Sequence, residues 1–192
     1  ATALGTVAAL GLSRRNMPFK GTIMAILISP MIVPLIITSA GMFFFYSKIG
    51  LTHTYLGLIL AHTALGTPFV VITVTATLTG FDTNLIRASQ SLGADTMRTF
   101  FKVIMPLILP GVISGALFAF ITSFDEVVVV MFVGSVEQIT IPKQMWAGLR
   151  QETSPVILCM ATCLVFLSIA LLTTVELLRR RSERLRGIKL QN

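Results

Sequence analysis

Long apolar runs alternate with short polar segments along the chain. The opening stretch 1–13 is apolar, and longer runs follow at 21–46, 54–79, 103–133 and 155–178. A helix of about 20 apolar residues crosses the roughly 30 Å hydrocarbon core of a bilayer, whereas the opening stretch would reach only about 20 Å. The pattern predicts an all-α, polytopic bundle of transmembrane helices with five spans, the first of them partial.

The composition supports a membrane protein. Hydrophobic residues occupy 54% of the 192 positions and charged residues only 12%, whereas a soluble domain has about 25% charged residues. The net charge of +7 comes from short basic clusters between apolar runs, not from a basic face with aromatic residues, so we expect no nucleic-acid partner. Because no linker or repeat divides the chain, we expect one membrane domain over residues 1–192.

Basic residues are distributed unequally between the two sides of the predicted bundle. Lys48, Lys143 and Arg150 are the three on one side, and the other twelve of the 15 lie opposite. The positive-inside rule places the larger set, and with it the C-terminus, in the cytoplasm. That set is Arg14, Arg15, Lys20, Arg87, Arg98, Lys102, Arg179, Arg180, Arg181, Arg184, Arg186 and Lys189.

Prolines interrupt three of the predicted spans. Each removes a backbone donor and tends to kink its helix. The kinks fit either helices that bend around an internal pathway or ordinary bends in a packed bundle. The residues concerned are Pro30, Pro34, Pro68, Pro106 and Pro110.

A polar, amphipathic segment at about 82–102 separates two of the long runs. Residues 84–91 are compatible with a helix that stops at Gly93. Asp95 can then cap a second short helix that runs through Phe101. The periodicity by itself favours two helices that lie on the membrane or on the bundle. Their apolar faces consist of Ala88 and Leu92 in the first helix and of Met97, Phe100, Phe101 and Ile104 in the second.

Two adjacent carboxylates, Asp125 and Glu126, interrupt the run 103–133. Charged groups are costly in a bilayer and are functional candidates by default. Counted from Val103, they lie about 33 Å along an unbroken helix, which predicts a place toward the external half of the membrane or at a break. They either face the pathway of a cationic solute, one of them inward, or lie at the outer interface, solvated or capping the next segment.

His62 also lies within an apolar run, where it either bonds across helices or lines the pathway. The only other histidine, His53, is nine residues away. We find no metal-ligand spacing, no phosphate-binding loop and no acyl-transfer constellation in the sequence. We therefore predict no metal site, no cofactor and no catalytic residue, and we expect any ATP hydrolysis to occur on a partner subunit.

The spacing at 87–106 resembles a motif of the inner-membrane permease subunits of bacterial ABC importers. Their cytoplasmic loop reads Glu-Ala-Ala, three residues, Gly, nine residues, then Ile-x-Leu-Pro. The present chain keeps this spacing, with Arg87 where the motif has Glu. The matching positions are Arg87, Ala88, Ser89, Gly93, Val103, Met105 and Pro106.

Three further stretches, 29–36, 61–74 and 123–133, are similar to the polyamine-type branch of that family. The family has six spans, so the resemblance implies a chain that lacks the first span and the start of the second. It also implies a pathway for a small cationic solute such as putrescine or spermidine. A second permease subunit, a cytoplasmic ATPase dimer and an extracytoplasmic solute-binding protein would complete the transporter in the bacterial inner membrane.

The resemblance further implies that segment 82–102 couples the ATPase to the membrane helices. The residues expected to take part are Arg87, Ala88, Ser89, Leu92, Gly93, Met97, Phe100, Phe101 and Pro106. The alternatives are an importer of the same architecture for ferric ion, sulfate or an amino-acid derivative, and a secondary carrier that uses Asp125, Glu126 or His62. A secondary carrier would show two repeated halves. A purely structural membrane protein would give no reason for the motif spacing at 87–106.

Overall fold

The computed structural model describes residues 1–14, 17–151 and 155–185. Every regular element in these ranges is helical, which confirms the predicted all-α class. The helices are α1 (Thr2–Leu12), α2 (Lys20–Ile32), α3 (Leu35–Lys48), α4 (Tyr55–Thr79), α5 (Asn84–Ser91), α6 (Thr96–Thr99), α7 (Met105–Phe124), α8 (Val128–Val133), α9 (Ile141–Gln151) and α10 (Pro155–Leu185), with a π-helical turn, Phe100–Ile104, between α6 and α7.

Three helical stretches of the described chain are long and apolar enough to cross a membrane: Tyr55–Thr79, Thr96–Phe124 and Pro155–Thr174. Helices α2 and α3 supply a fourth if the broken pair counts as one span, and α1 is a shorter apolar helix. The predicted runs 54–79 and 155–178 therefore match helices closely.

The predicted run 21–46 is two helices, interrupted at Pro34 as the prolines of this span predicted, whereas Pro30 lies within α2. Val33 has an extended backbone with ψ of 136°, and Pro34 caps the start of α3. Pro34 causes the break, because the residue before a proline is driven out of the α region and the proline itself donates no hydrogen bond.

The run 103–133 also differs from a single span. Its helix begins earlier, because the second short helix expected to run through Phe101 is α6, which continues through the π-helical turn into α7. It ends earlier as well, at Phe124, and α8 follows after three residues that are not helical. The carboxylates of Asp125 and Glu126 thus lie at a break, as one of the two sequence-based alternatives predicted.

The described chain divides into two compact units. The first unit comprises residues 1–33 and 63–122. Its core joins α1, α4 and α7 through fully or almost fully buried side chains. These are Ala9, Val70, Val74, Ile108 and Ala119.

Helices α7 and α4 approach closely in the first unit because glycines lie at the contact. A Cβ atom at Gly115 would collide with Thr73 Oγ1 and lie 2.7 Å from the Cα of Val70. A Cβ atom at Gly111 would collide with Thr77 Oγ1. Small residues spaced by four allow such close packing of membrane helices.

Replacing Gly115 with alanine is expected to destabilise the protein by about 1–3 kcal/mol, the usual cost of an overpacked core. The same change at Gly11 in α1, where a Cβ would meet nothing within 4 Å, should be neutral or stabilising, since alanine is the better helix former. Thermal unfolding of both variants in detergent measures the difference. Equal melting temperatures for the two variants would contradict the close contact between α4 and α7 at Gly115.

The second unit comprises residues 34–62 and the described residues from 123 to 185. Helix α3 packs against α8, whose Val129, Val130 and Val133 are fully buried. The loop before α4 is fastened to the end of α8, because the His53 N–H donates to the Val133 carbonyl at 2.9 Å and the His53 Nδ1 lies 3.1 Å from the Gly134 carbonyl oxygen.

Part of the orientation prediction falls outside the described part of the chain. Arg15, Arg186 and Lys189 lie outside the described residues, as do the side chains of Arg150 and of residues 178–185. The cytoplasmic C-terminus and the single membrane domain therefore stay predictions.

Candidate functional site

The predicted site residues form two groups. The candidates between Arg87 and Pro106 all belong to the first unit, whereas His62, Asp125 and Glu126 belong to the second.

Helix α5 ends in a capping motif that requires a glycine. The Gly93 N–H donates to the Gln90 carbonyl at 2.9 Å, and the Ala94 N–H donates to the Ser89 carbonyl at 3.1 Å. This pair of bonds defines a Schellman motif, whose closing residue adopts a left-handed conformation. Gly93 has a φ of +82°, so the predicted helix stop at this residue is confirmed together with its physical reason.

Helix α6 begins at a side-chain cap and is tied back to α5. Asp95 accepts a hydrogen bond from the Arg98 N–H at 2.7 Å, which confirms the predicted cap. The hydroxyls of Ser89 and Thr99 lie 3.0 Å apart, and Thr99 is only 2% exposed. This hydroxyl pair makes the two helices one folded element.

The π-helical turn Phe100–Ile104 lies where this element joins the long helix. The Met105 N–H donates to the Phe100 carbonyl, five residues earlier. Pro106 follows and has no N–H to offer the Lys102 carbonyl, the partner that an α-helix would assign to it. The wider π-helical turn accommodates the missing hydrogen bond of Pro106, and the chain continues as an α-helix from Met105.

Several apolar side chains of segment 82–102 face outward. Leu92 is 88% exposed, Met97 64% and Phe101 59%, although each is a large hydrophobic residue. Arg87 and Ala88 are also exposed, while Ser89 and Phe100 are half-buried. The two predicted apolar faces are therefore present at the surface of the chain.

The acidic pair lies between α7 and α8, and the structure separates its two members. Glu126 is only 6% exposed, and its Oε1 accepts a hydrogen bond from the Val129 N–H at 2.8 Å. It caps α8, as one of the sequence-based alternatives proposed. Asp125 is exposed, so it is the member of the pair that a solute could reach.

His62 makes the hydrogen bond between helices that was one of its two predicted roles. Its Nδ1 lies 2.8 Å from the Ser123 hydroxyl oxygen. The sequence did not point to Ser123, although it stands two residues before Asp125. Within the described residues, no group of three or more His, Cys, Asp or Glu side chains could hold a metal ion.

The chain matches the model of a family of membrane transport components over most of its length. The model of the family described as "Binding-protein-dependent transport system inner membrane component" matches residues 1–185. The chain belongs to this family. It is therefore a multi-pass membrane protein and a component of a transport system that works with a binding protein.

Two curated relatives are spermidine/putrescine transport system permease proteins named PotC. That of Haemophilus influenzae is 31% identical over 182 residues, covering 95% of this chain and 71% of the relative. That of Escherichia coli is 29% identical, with 94% and 68% covered. The putrescine permease PotI of Escherichia coli is 29% identical over 86% of this chain and 61% of its own length.

Among solved structures, the chain is similar to one from the MetNI methionine ABC transporter in inward-facing conformations. The TM-score is 0.68 at 20% sequence identity, with 94% of this chain and 90% of the other covered. At this identity the likeness concerns the fold, and it confirms the predicted permease architecture.

Proposed function

We propose that the chain forms the translocation pathway for a small cationic solute, a polyamine such as putrescine or spermidine, in an ABC importer of the bacterial inner membrane. The observation that carries the proposal is Asp125, an exposed carboxylate at a break in an apolar helix. A negative group on a pathway concentrates cations. The names of the PotC and PotI relatives agree with this choice of solute.

Segment 82–102 is proposed as the coupling segment, the part of the chain that a cytoplasmic ATPase contacts. An amphipathic helix with exposed apolar residues suits a groove on a partner, and Leu92 and Met97 supply such residues. The hydroxyl bond between Ser89 and Thr99 lets the segment move as one body. The proposed coupling residues are Arg87, Ala88, Ser89, Leu92, Gly93, Met97, Phe100, Phe101 and Pro106.

The remaining parts of the transporter follow from this role. An ATPase dimer supplies the nucleotide site, so the chain itself is not an enzyme. A second permease subunit completes the pathway, and an extracytoplasmic binding protein delivers the solute. The excess of basic residues on one side of the bundle supports a cytoplasmic C-terminus and a cytoplasmic coupling segment.

The proposal is tested by uptake into proteoliposomes that contain the complete transporter with its ATPase and binding protein. We expect ATP-dependent uptake of labelled putrescine or spermidine, with no competition from sulfate, ferric ion or neutral amino acids. Transport of one of those solutes in place of the polyamines would overturn the assignment. Uptake that persists without ATP would favour a secondary carrier.

A further inference from the structure

We infer that His62 is a positioning residue for translocation: by holding Ser123, it fixes the path along which the chain leaves α7 and so the place where Asp125 presents its carboxylate. This inference rests on the proposed function, since it assigns Asp125 to the solute. It gives His62 a role through another residue instead of contact with the solute.

The first support is the geometry of the bond. His62 belongs to α4, and Ser123 is the second-last residue of α7, two positions before Asp125. The distance of 2.8 Å between Nδ1 and the hydroxyl oxygen is that of a well-formed hydrogen bond. Both side chains are half-buried.

The second support is an anchor on the other side of Asp125. Glu126 is buried, and its Oε1 accepts the Val129 N–H at 2.8 Å, which fastens the chain to the first turn of α8. The two anchors are therefore the bond between His62 and Ser123 and the bond between Glu126 and Val129. Asp125 lies between them and is exposed.

The polar groups at the break have two different roles, holding the backbone and presenting a charge. Ser123 and Glu126 are held by partners within the protein and fix the backbone of residues 123–129. Asp125 projects from this fixed segment. Such a scheme presents a carboxylate in one place without burying its charge, as a low-affinity cation site on a transport pathway requires.

Matched substitutions at His62 test the role. His62→Asn keeps a polar atom at the position of Nδ1, whereas His62→Gln moves it one bond farther from the backbone and His62→Ala removes it. We expect the Gln and Ala variants to raise the KM for polyamine uptake by about 3- to 20-fold, the range for losing one hydrogen bond between membrane helices. The maximal rate and the ATPase activity should change less than about twofold, and Asn should restore the KM.

A double variant separates this role from general damage. His62→Ala combined with Ser123→Ala should be no worse than either single change, because both remove the same bond. Additive effects of the two changes, or a wild-type KM in His62→Ala, would overturn the inference. If Asn fails as Ala does, the position of Nδ1 is not what matters, and the inference is likewise overturned.

The proposed function has its own control in the same assay. If the wild-type transporter took up no polyamine, the assignment of the solute would be wrong. If the Asp125→Asn variant showed full uptake, the place of Asp125 on the pathway would be wrong. Neither result depends on any His62 variant. A failure of the positioning role is therefore distinguishable from a failure of the proposed function.

Discussion

Replacing Gly93 with valine is expected to lower ATP-dependent uptake by about 5- to 150-fold while the protein remains in the membrane. The physical reason is backbone conformation: Gly93 closes the capping motif of α5 with a φ of +82°, and a β-branched residue there costs about 1–3 kcal/mol. That strain changes the angle between α5 and α6 and hence the surface offered to the ATPase. Uptake and ATP hydrolysis, measured together in the assembled transporter, should become uncoupled.

Two control variants isolate this cause. A Cβ at Gly93 would meet nothing within 4 Å, so Gly93→Asn, which tolerates the left-handed conformation, should retain most of the uptake. Gly80→Val makes the same side-chain change at a glycine with open surroundings and no positive φ, and we expect little effect. Wild-type uptake in Gly93→Val would argue against the proposed coupling role.

Replacing Asp125 with asparagine is expected to lower polyamine uptake by about 10- to 150-fold. The change keeps the shape of the side chain and removes its charge. A hydrogen bond between the cationic solute and a charged carboxylate contributes about 1.5–3 kcal/mol, and this contribution would be lost. The protein should fold normally, because Asp125 is exposed. Initial rates of labelled putrescine uptake, at matched levels of protein in the membrane, measure the effect.

The control for charge is Glu137→Gln, since Glu137 is exposed in the segment that follows α8. Its uptake should stay within about twofold of wild type, as is usual for surface changes. Glu126→Gln should mainly weaken the cap of α8 and so lower thermal stability. Suppose that Glu126→Gln abolished uptake in a stable protein while Asp125→Asn had no effect. Glu126, and not Asp125, would then be the carboxylate that acts on the solute.

Local sequence signals predicted much of the fold. The apolar run at 54–79 became α4 (Tyr55–Thr79), and residues 84–91 became α5 with the same bounds. Gly93 and Asp95 predicted a helix stop and a helix start because each acts through its own neighbours in the chain. Such signals need no knowledge of tertiary packing.

The departures arose where hydrogen bonding or packing overrides the apolar pattern. The kink predicted at Pro34 is a full break between α2 and α3, because the missing donor coincides with a preceding residue that is driven out of the α region. The π-helical turn Phe100–Ile104 joined two predicted helices into one. Hydropathy likewise did not register the end of α7 at Phe124, because Val128 to Val133 continue the apolar run.

The sequence predicted which residues form the candidate site, but not which groups they form hydrogen bonds with. Asp125, Glu126 and His62 stand out because charged and polar groups are rare in apolar runs. The bond of His62 to Ser123 joins residues far apart in the chain, and the cap by Glu126 distinguishes it from its neighbour Asp125. Serine is common in membrane helices and carries no charge, so nothing in the sequence singled out Ser123.

The coupling role is tested most directly by single cysteines at two equally exposed positions, in a background where Cys159 and Cys163 are serine. Leu92 is 88% exposed and Val136 is 90% exposed. We predict that Leu92→Cys reacts with an impermeant thiol reagent only in inside-out vesicles and cross-links to the ATPase. Val136→Cys should react only from the outside. Labelling of Leu92→Cys from the outside, or no cross-link to the ATPase in a transporting complex, would contradict the account.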